Sequence, residues 1–352
     1  MSDTGDRVFD VAFIGCGQGG GRIAEAFFAK GYQKVIAINT APQDLSHLSI
    51  PDENKINISG HVAGAGKNPS VSHKLAEDRA DEIIERMAEL FGDCDRIMVC
   101  IGAGGGTGSG TCIPVVKMCS DYMSSLGHDD PSKKVGVICT VPTDGECRST
   151  AVAQNATGVL NDIFRLGHEK KISPCLVIDN NKIRKVFPGL TMRAFWPTAN
   201  TAVADVFDAL NTLPSGDSPF SSFDPADYTS IVEAGGCLIM GMSQVEDCST
   251  AEGFINAFHK NMKDTVISDE YGLLSSQAAA CVLSCSTKVI DEDFGLMDRV
   301  DEALDSIASQ LKARYIHRGI YEHDGDGVIM YSMVGGLTYP IPVISRLKSF
   351  LR

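Results

Sequence analysis

Residues 102–110 read Gly102-Ala103-Gly104-Gly105-Gly106-Thr107-Gly108-Ser109-Gly110. The stretch follows an apolar, β-type run, Arg96 to Ile101, and precedes a helix-like run, Thr111 to Met118. Glycine lacks Cβ, so a ligand can approach the main chain closely. Such a turn at a helix N-terminus aims several backbone N–H groups at one point, where the helix dipole favours an anion. The chemistry implied at Gly104, Gly105, Gly106, Thr107 and Gly108 is phosphate binding. The common P-loop pattern is absent, because no Lys follows the glycines. A flexible linker does not fit between a strand and a helix.

A second glycine-rich turn, Gly15-Cys16-Gly17-Gln18-Gly19-Gly20-Gly21, also follows a strand-like run and leads into a helix, Arg22 to Ala29. It contains GxGxxG at Gly15, Gly17 and Gly20, the dinucleotide fingerprint, which opens the alternative of an NAD(P)-dependent oxidoreductase. That fingerprint expects an acidic residue at the end of the next strand. Here the strand ends Ile38-Asn39-Thr40, with no carboxylate until Asp44. Two glycine turns in one sheet better fit a single nucleotide held at its base end and its phosphate end. A third feature is Phe223-Asp224-Pro225-Ala226-Asp227. Asp as N-cap, Pro at the first helical position and Asp in the first turn make a helix start. The same spacing projects both carboxylates from one face.

The elements that must position these residues alternate. Val8 to Ile14, Lys34 to Asn39, Arg96 to Ile101, Val135 to Val141 and Leu176 to Asp179 are strand-like and separated by helix-like runs. That order predicts a mostly parallel sheet with helices on both faces. Asn68-Pro69 reads as a cap and first residue of a helix. Pro197 is expected to open another, with Val203, Val206, Phe207, Leu210 and Leu213 on its buried face. From Asp227 onward helix and strand alternate again, with strands at Cys237 to Met242, Ala278 to Ser286 and Gly327 to Val334. The expected division is a nucleotide-binding domain over 1–192, a central helix and linker over 193–215, a second, smaller α/β domain over 216–345 and a short tail over 346–352.

Composition limits the rest. The 352 residues are 43% hydrophobic and 22% charged, as in ordinary globular proteins. The net charge of −14 argues against direct nucleic-acid binding, so any link to DNA requires an adaptor. No apolar run approaches the ~20 residues of a membrane span, and no direct membrane contact is expected. The acidic start, Met1 to Asp6, lacks a signal-peptide core. The 12 cysteines are scattered through apolar runs with no CxxC, which suits reduced core thiols in a cytoplasmic protein rather than disulfides or a metal site.

Taken together, the GGGTGSG string and its surroundings resemble the tubulin/FtsZ superfamily, and specifically its prokaryotic GTPases FtsZ, TubZ and CetZ, over nearly the whole chain. The resemblance implies a Rossmann-like GTPase domain with a parallel sheet, a central core helix and a smaller second α/β domain. It implies GTP/GDP with Mg2+ as cofactors. Gly17, Gln18, Gly19, Gly20 and Arg22 of the first turn, and Gly104 to Gly108 of the second, then hold the nucleotide. Gly64-Ala65-Gly66-Lys67-Asn68-Pro69 resembles a third, phosphate-contacting loop, which adds Gly66 and Asn68. Asp144 and Arg148 fall where the family places residues near the ribose. Asn180 and Asn200 match its guanine-reading positions; an Asn amide both donates and accepts. The alternatives for them are a turn residue and a first-turn helix residue. Trp196 either stacks over the base or packs in the core.

In this family the loop holding Asp224 and Asp227 enters the next subunit's nucleotide site, where both are catalytic. The resemblance therefore implies self-association into head-to-tail filaments and hydrolysis switched on by assembly. The cellular roles it leaves open are DNA partition or positioning, cell shape and division. A non-polymerising nucleotide-binding regulator is the main rival. Three positions depart from FtsZ: Arg22 and Ser222 each replace an Asn, and Ala41 replaces an Asp near the metal. The sequence ends at Arg352, soon after Gly335-Gly336, so the long adaptor-binding tail of FtsZ is not expected.

Overall fold

The computed structural model describes residues 7–60, 64–265, 267 and 271–351. These form two compact units, one of residues 9–205 with 341–351, the other of residues 7–8 with 206–340.

The first unit opens with β1 (Val11–Cys16), α1 (Gly17–Ala29), β2 (Val35–Asn39), α2 (Pro42–Ser46) and β3 (Lys55–Asn57). It continues through α3 (Pro69–Asp78), α4 (Ala80–Phe91), β4 (Arg96–Gly102), α5 (Gly106–Ser125) and β5 (Val135–Val141). It ends with α6 (Asp144–Cys147), α7 (Thr150–His168), β6 (Cys175–Asp179), α8 (Asn180–Val186) and the start of α9 (Met192–Thr212). Its strands lie in the order β3-β2-β1-β4-β5-β6, and every pair is parallel. All residues of β1, β2 and β6 are buried, as expected of a parallel sheet covered on both faces. Phe27 of α1 stacks on Phe13 of β1 at 3.8 Å between centroids, and Tyr32 meets Phe13 edge-on at 5.1 Å. These rings anchor the first helix to the central strand.

The second unit holds α10 (Pro225–Val232), β7 (Cys237–Gln244), α11 (Ala251–Lys263), β8 (Ala278–Ser286), α12 (Thr287–Glu292), α13 (Leu296–Gln310), β9 (Tyr315–His323) and β10 (Val328–Leu337). Its strand order is β7-β10-β8-β9, with β10 antiparallel to β7 and β8, and β9 parallel to β8. The last helix, α14 (Ile341–Ser349), belongs to the first unit and packs on α7.

The strand–helix alternation follows the sequence pattern, with three differences. Helix α1 begins at Gly17, so most of the first glycine turn is helical rather than loop. Helix α9 begins at Met192, and Pro197 lies inside it instead of opening it. As the sixth residue of the helix, Pro197 cannot donate to the Arg193 carbonyl, so one i→i−4 bond of the ladder is missing. Strands β3 and β9 have no counterpart in the sequence reading. β3 spans only 3 residues, and β9 is an edge strand carrying His317, Arg318, Glu322 and His323, which conceal any apolar alternation.

Eleven of the cysteines are buried and Cys248 is half-buried, all with free thiols. Burial pushes the Cys16 thiol up to about 12, so it stays protonated at neutral pH. Among the described residues no helix is long and apolar enough to cross a membrane.

Gly20 sets the distance between α1 and the sheet, because a Cβ there would overlap the Cys100 carbonyl of β4. Gly20→Ala is expected to destabilise the chain by about 1–3 kcal/mol, as overpacking does, read as a lower midpoint in urea denaturation. An unchanged midpoint would contradict this contact.

Candidate functional site

Strand order reverses between β1 and β4, which is where open α/β sheets bind ligands, beyond the carboxyl ends of their strands. Both glycine turns leave those two strands. Gly17 takes φ +70°, and a Cβ there would lie 2.8 Å from the amide nitrogen of Gly108. A Cβ on Gly108 would in turn lie 3.0 Å from the Cys16 carbonyl. The two turns therefore touch main chain to main chain, and only glycine fits at either position.

A cleft of about 600 Å³ opens beside this contact, within the size range of nucleotide sites. Gly17, Gln18, Gly19 and Arg22 line it from α1, Gly66 from the loop before α3, and Gly104 to Gly108 from the turn into α5. Asn180, Trp196 and Asn200 line it from α8 and α9. The N-terminus of α5 lies at the cleft without a side-chain cap, the position at which helices bind anions.

Side chains lock these loops together. Thr40 and Thr107 share a hydroxyl hydrogen bond of 2.7 Å. Ser72 of α3 donates to the Gly106 carbonyl at 2.7 Å. Asn155 of α7 donates to the Lys67 carbonyl at 2.9 Å. Lys67 itself sits at φ 60°, a left-handed conformation uncommon outside glycine.

Asn180 is buried, and its Oδ1 is a buried acceptor with no partner among the described residues. A buried unpaired oxygen costs about 1–3 kcal/mol, which a ligand donor in the cleft would offset. Asn200 is also buried. Trp196 is half-buried and meets Phe195 edge-on at 4.9 Å, so one part of the ring remains on the cleft.

Four residues singled out in the sequence lie off the cleft. Gly20 is buried against β4. Asn68 caps α3, its Oδ1 accepting from the Ser70 amide at 3.1 Å. Asp144 is ion-paired with Arg346 of α14 at 2.8 Å and accepts from the Asn181 amide at 3.0 Å. Arg346 also reaches Asp179 at 3.1 Å, so the last helix is pinned to the start of α6 and the end of β6. Arg148 is exposed.

Other residues line the cleft without having been singled out as contacts: Asn39, Thr40, Asp44, Lys67, Thr140 and Glu146 among them. Asp44 is held by two amides, Gln18 Nε2 at 3.1 Å and Asn39 Nδ2 at 3.3 Å. Its spacing after the Asn-Thr pair was the available signal. It brings to the cleft a carboxylate where Ala41 cannot.

In the second unit, Asp224 and Asp227 form a capping box. The Asp227 amide donates to Asp224 Oδ1 at 2.9 Å, and the Asp224 amide to Asp227 Oδ2 at 3.4 Å. Asp224 is exposed and Asp227 half-buried. The helix-start reading therefore holds in the isolated subunit. Among the described residues, no three His, Cys, Asp or Glu side chains converge to hold a metal.

Two family models match the chain: the tubulin/FtsZ family GTPase domain over residues 10–188, and the C-terminal domain of the tubulin-like protein TubZ over residues 221–341. The chain belongs to the tubulin/FtsZ family. The tubulin-like protein TubZ of Bacillus cereus is 24% identical over a 383-residue alignment covering 99% of this chain and 85% of the relative. A GTPγS-form protofilament of TubZ from Bacillus thuringiensis serovar israelensis superposes with TM-score 0.82 at 19% identity, covering 99% of this chain and 92% of that one. A TubZ described as a type III plasmid segregation protein superposes with TM-score 0.78 at 18% identity, covering 99% and 94%. The GTPase-domain match spans both glycine turns and the loop before α3, the segments that build the cleft.

Asn200 lines the cleft and is buried, so the expectation that it contacts the base can be tested by cutting its side chain back. Asn200→Ala is expected to weaken GTP binding about tenfold or more, with little change in unfolding midpoint. Unchanged affinity in a calorimetric titration would remove Asn200 from the site.

Proposed function

We propose that this chain is a GTP-hydrolysing cytoskeletal protein that polymerises head to tail, each subunit completing the active site of its neighbour. The observation that carries this reading is the pairing of a full nucleotide cleft with a carboxylate pair that the cleft does not contain. The glycine turns and the α5 N-terminus bind the phosphates through main-chain amides. Asn180 and Asn200 read guanine, with Trp196 beside the base. The donor set also suits Mg2+, which prefers one or two carboxylates plus phosphate oxygens and water. Asp44 would hold that ion, and the ion would supply charge neutralisation at the phosphates.

Asp224 and Asp227 act in trans. Phosphoryl transfer depends chiefly on an oriented water and on charge neutralisation, and two carboxylates on one helix start provide the acceptors. An interface that repeats head to tail without closing generates a filament. Hydrolysis then weakens the interface that the γ-phosphate had ordered. Among cellular roles, the TubZ C-terminal domain match and the plasmid-segregating structural relative favour DNA partition, through a basic adaptor given the net charge of −14.

Asp227→Ala tests the assignment. As a mere capping change it would cost about 0.5–2 kcal/mol and leave turnover intact. As loss of a water-orienting carboxylate it lowers turnover by about 10²–10⁴, while GTP binding and pelleting persist. Wild-type turnover in pelleted Asp227→Ala filaments would refute the catalytic role. A wild-type chain that stays monomeric with GTP and Mg2+ would favour the regulator reading.

A further inference from the structure

We infer that His317 is a positioning residue for Asp227, fixing the carboxylate that one subunit presents to its neighbour's nucleotide. The inference rests on the catalytic reading of Asp227 given above. His317 lies on β9, and its ring reaches the start of α10. Nδ1 is 2.7 Å from Asp227 Oδ1, and Nε2 is 2.9 Å from Ser230 Oγ. Ser230 Oγ also lies 2.7 Å from the Asp227 carbonyl, so its single hydroxyl proton serves either that carbonyl or the ring. An ionised carboxylate only accepts, so Nδ1 carries the proton of the short bond.

Two aromatic side chains lie beside the ring. It tilts against Phe223, with centroids 6.5 Å apart, and lies nearly parallel to Tyr315 at 6.2 Å. Phe223 is itself fully buried. Its amide donates to the Tyr321 hydroxyl at 2.9 Å, and that hydroxyl donates to the Phe223 carbonyl at 3.0 Å. A rigid support thus runs from β9 through the loop to the carboxylate.

Helix capping does not call for this arrangement. The cap is complete with Asp224 Oδ1 on the Asp227 amide, and Asp227 contributes only the long contact from Oδ2. The bond from His317 falls on the other oxygen and satisfies no helix amide. Its effect is to fix the Asp227 side-chain torsions, because restraints on opposite oxygens leave one orientation. A carboxylate that must meet a water across a subunit interface benefits from that restraint, since small misplacements cost large factors in rate.

The test uses the full chain at concentrations where wild type pellets with GTP and Mg2+. His317→Ala, His317→Gln and His317→Asn are compared for turnover per pelleted subunit, for GTP affinity and for unfolding midpoint. Asn places its amide nitrogen where Nδ1 sits and can still donate to Asp227; Gln matches Nε2 instead. Ala and Gln are expected to lower turnover about ten- to a hundredfold with GTP affinity unchanged, and Asn to restore most of it. Equal loss in all three variants, in step with stability, would overturn the positioning role. So would wild-type or raised turnover in His317→Ala filaments, the latter marking the His317 bond as one that holds Asp227 away from its task. If the His317 variants fail to pellet, Ser230→Ala, which removes the support behind Nε2, decides: reduced turnover in its filaments supports the role and wild-type turnover overturns it. Asp227→Ala run in parallel separates the two claims. If it hydrolyses normally, the catalytic reading fails; if it is inactive while His317→Ala is fully active, only the positioning role fails.

Discussion

The contact between Gly17 and Gly108 is the constraint on which the nucleotide-binding unit depends. It brings the turns after two neighbouring parallel strands within main-chain distance, at the point where strand order reverses. Neither turn alone makes a cleft. Together they place the amide-rich start of α5 opposite the start of α1. The loop before α3 closes over them, held by Ser72 on the Gly106 carbonyl and Asn155 on the Lys67 carbonyl. A side chain at either glycine would push β1 and β4 turns apart and open the phosphate end. The hydrophobic anchoring of α1 by Phe13, Phe27 and Tyr32 serves the same purpose from below.

Division of labour follows from this geometry. A cleft built from main-chain amides binds phosphate well but supplies no base to activate water. Of the cleft's own carboxylates, Asp44 is held by two amides where it would serve Mg2+, and Glu146 accepts from the Thr143 amide and hydroxyl. Asp224 and Asp227 stand at an exposed helix start in the other unit, where a cap gives them a stable resting arrangement. On the proposed reading, hydrolysis waits for a neighbour's carboxylates, and the nucleotide state then reports on assembly.

Much of this was legible in the residues. The glycine strings, the strand–helix alternation and the Asn68-Pro69 helix start each carry a local physical signature, and each was found in place. What was not legible depends on distant partners. Asp144 pairs with Arg346, about two hundred positions away in sequence, and no local pattern announces that. Gly20 is a packing glycine because of where β4 runs. Strand β9 is concealed by its edge position and charges, and with it the approach of His317 to Asp227. Asp44 shows its place only once Gln18 and Asn39 are seen to hold it. Placement set by local turn chemistry was readable, and placement set by tertiary pairing was not.

Complementation between two inactive chains tests the central claim, catalysis across the subunit interface. Thr107→Trp fills the phosphate turn and abolishes nucleotide binding while keeping the Asp224 loop; Asp227→Ala binds nucleotide but lacks the acceptor. Mixed in equal amounts and co-pelleted, they juxtapose an intact loop and a loaded cleft at about a quarter of randomly formed interfaces. The account predicts that GTP turnover, negligible for either chain alone, reappears in the mixture at up to that fraction of the wild-type rate. A mixture that co-pellets and remains inactive would contradict it.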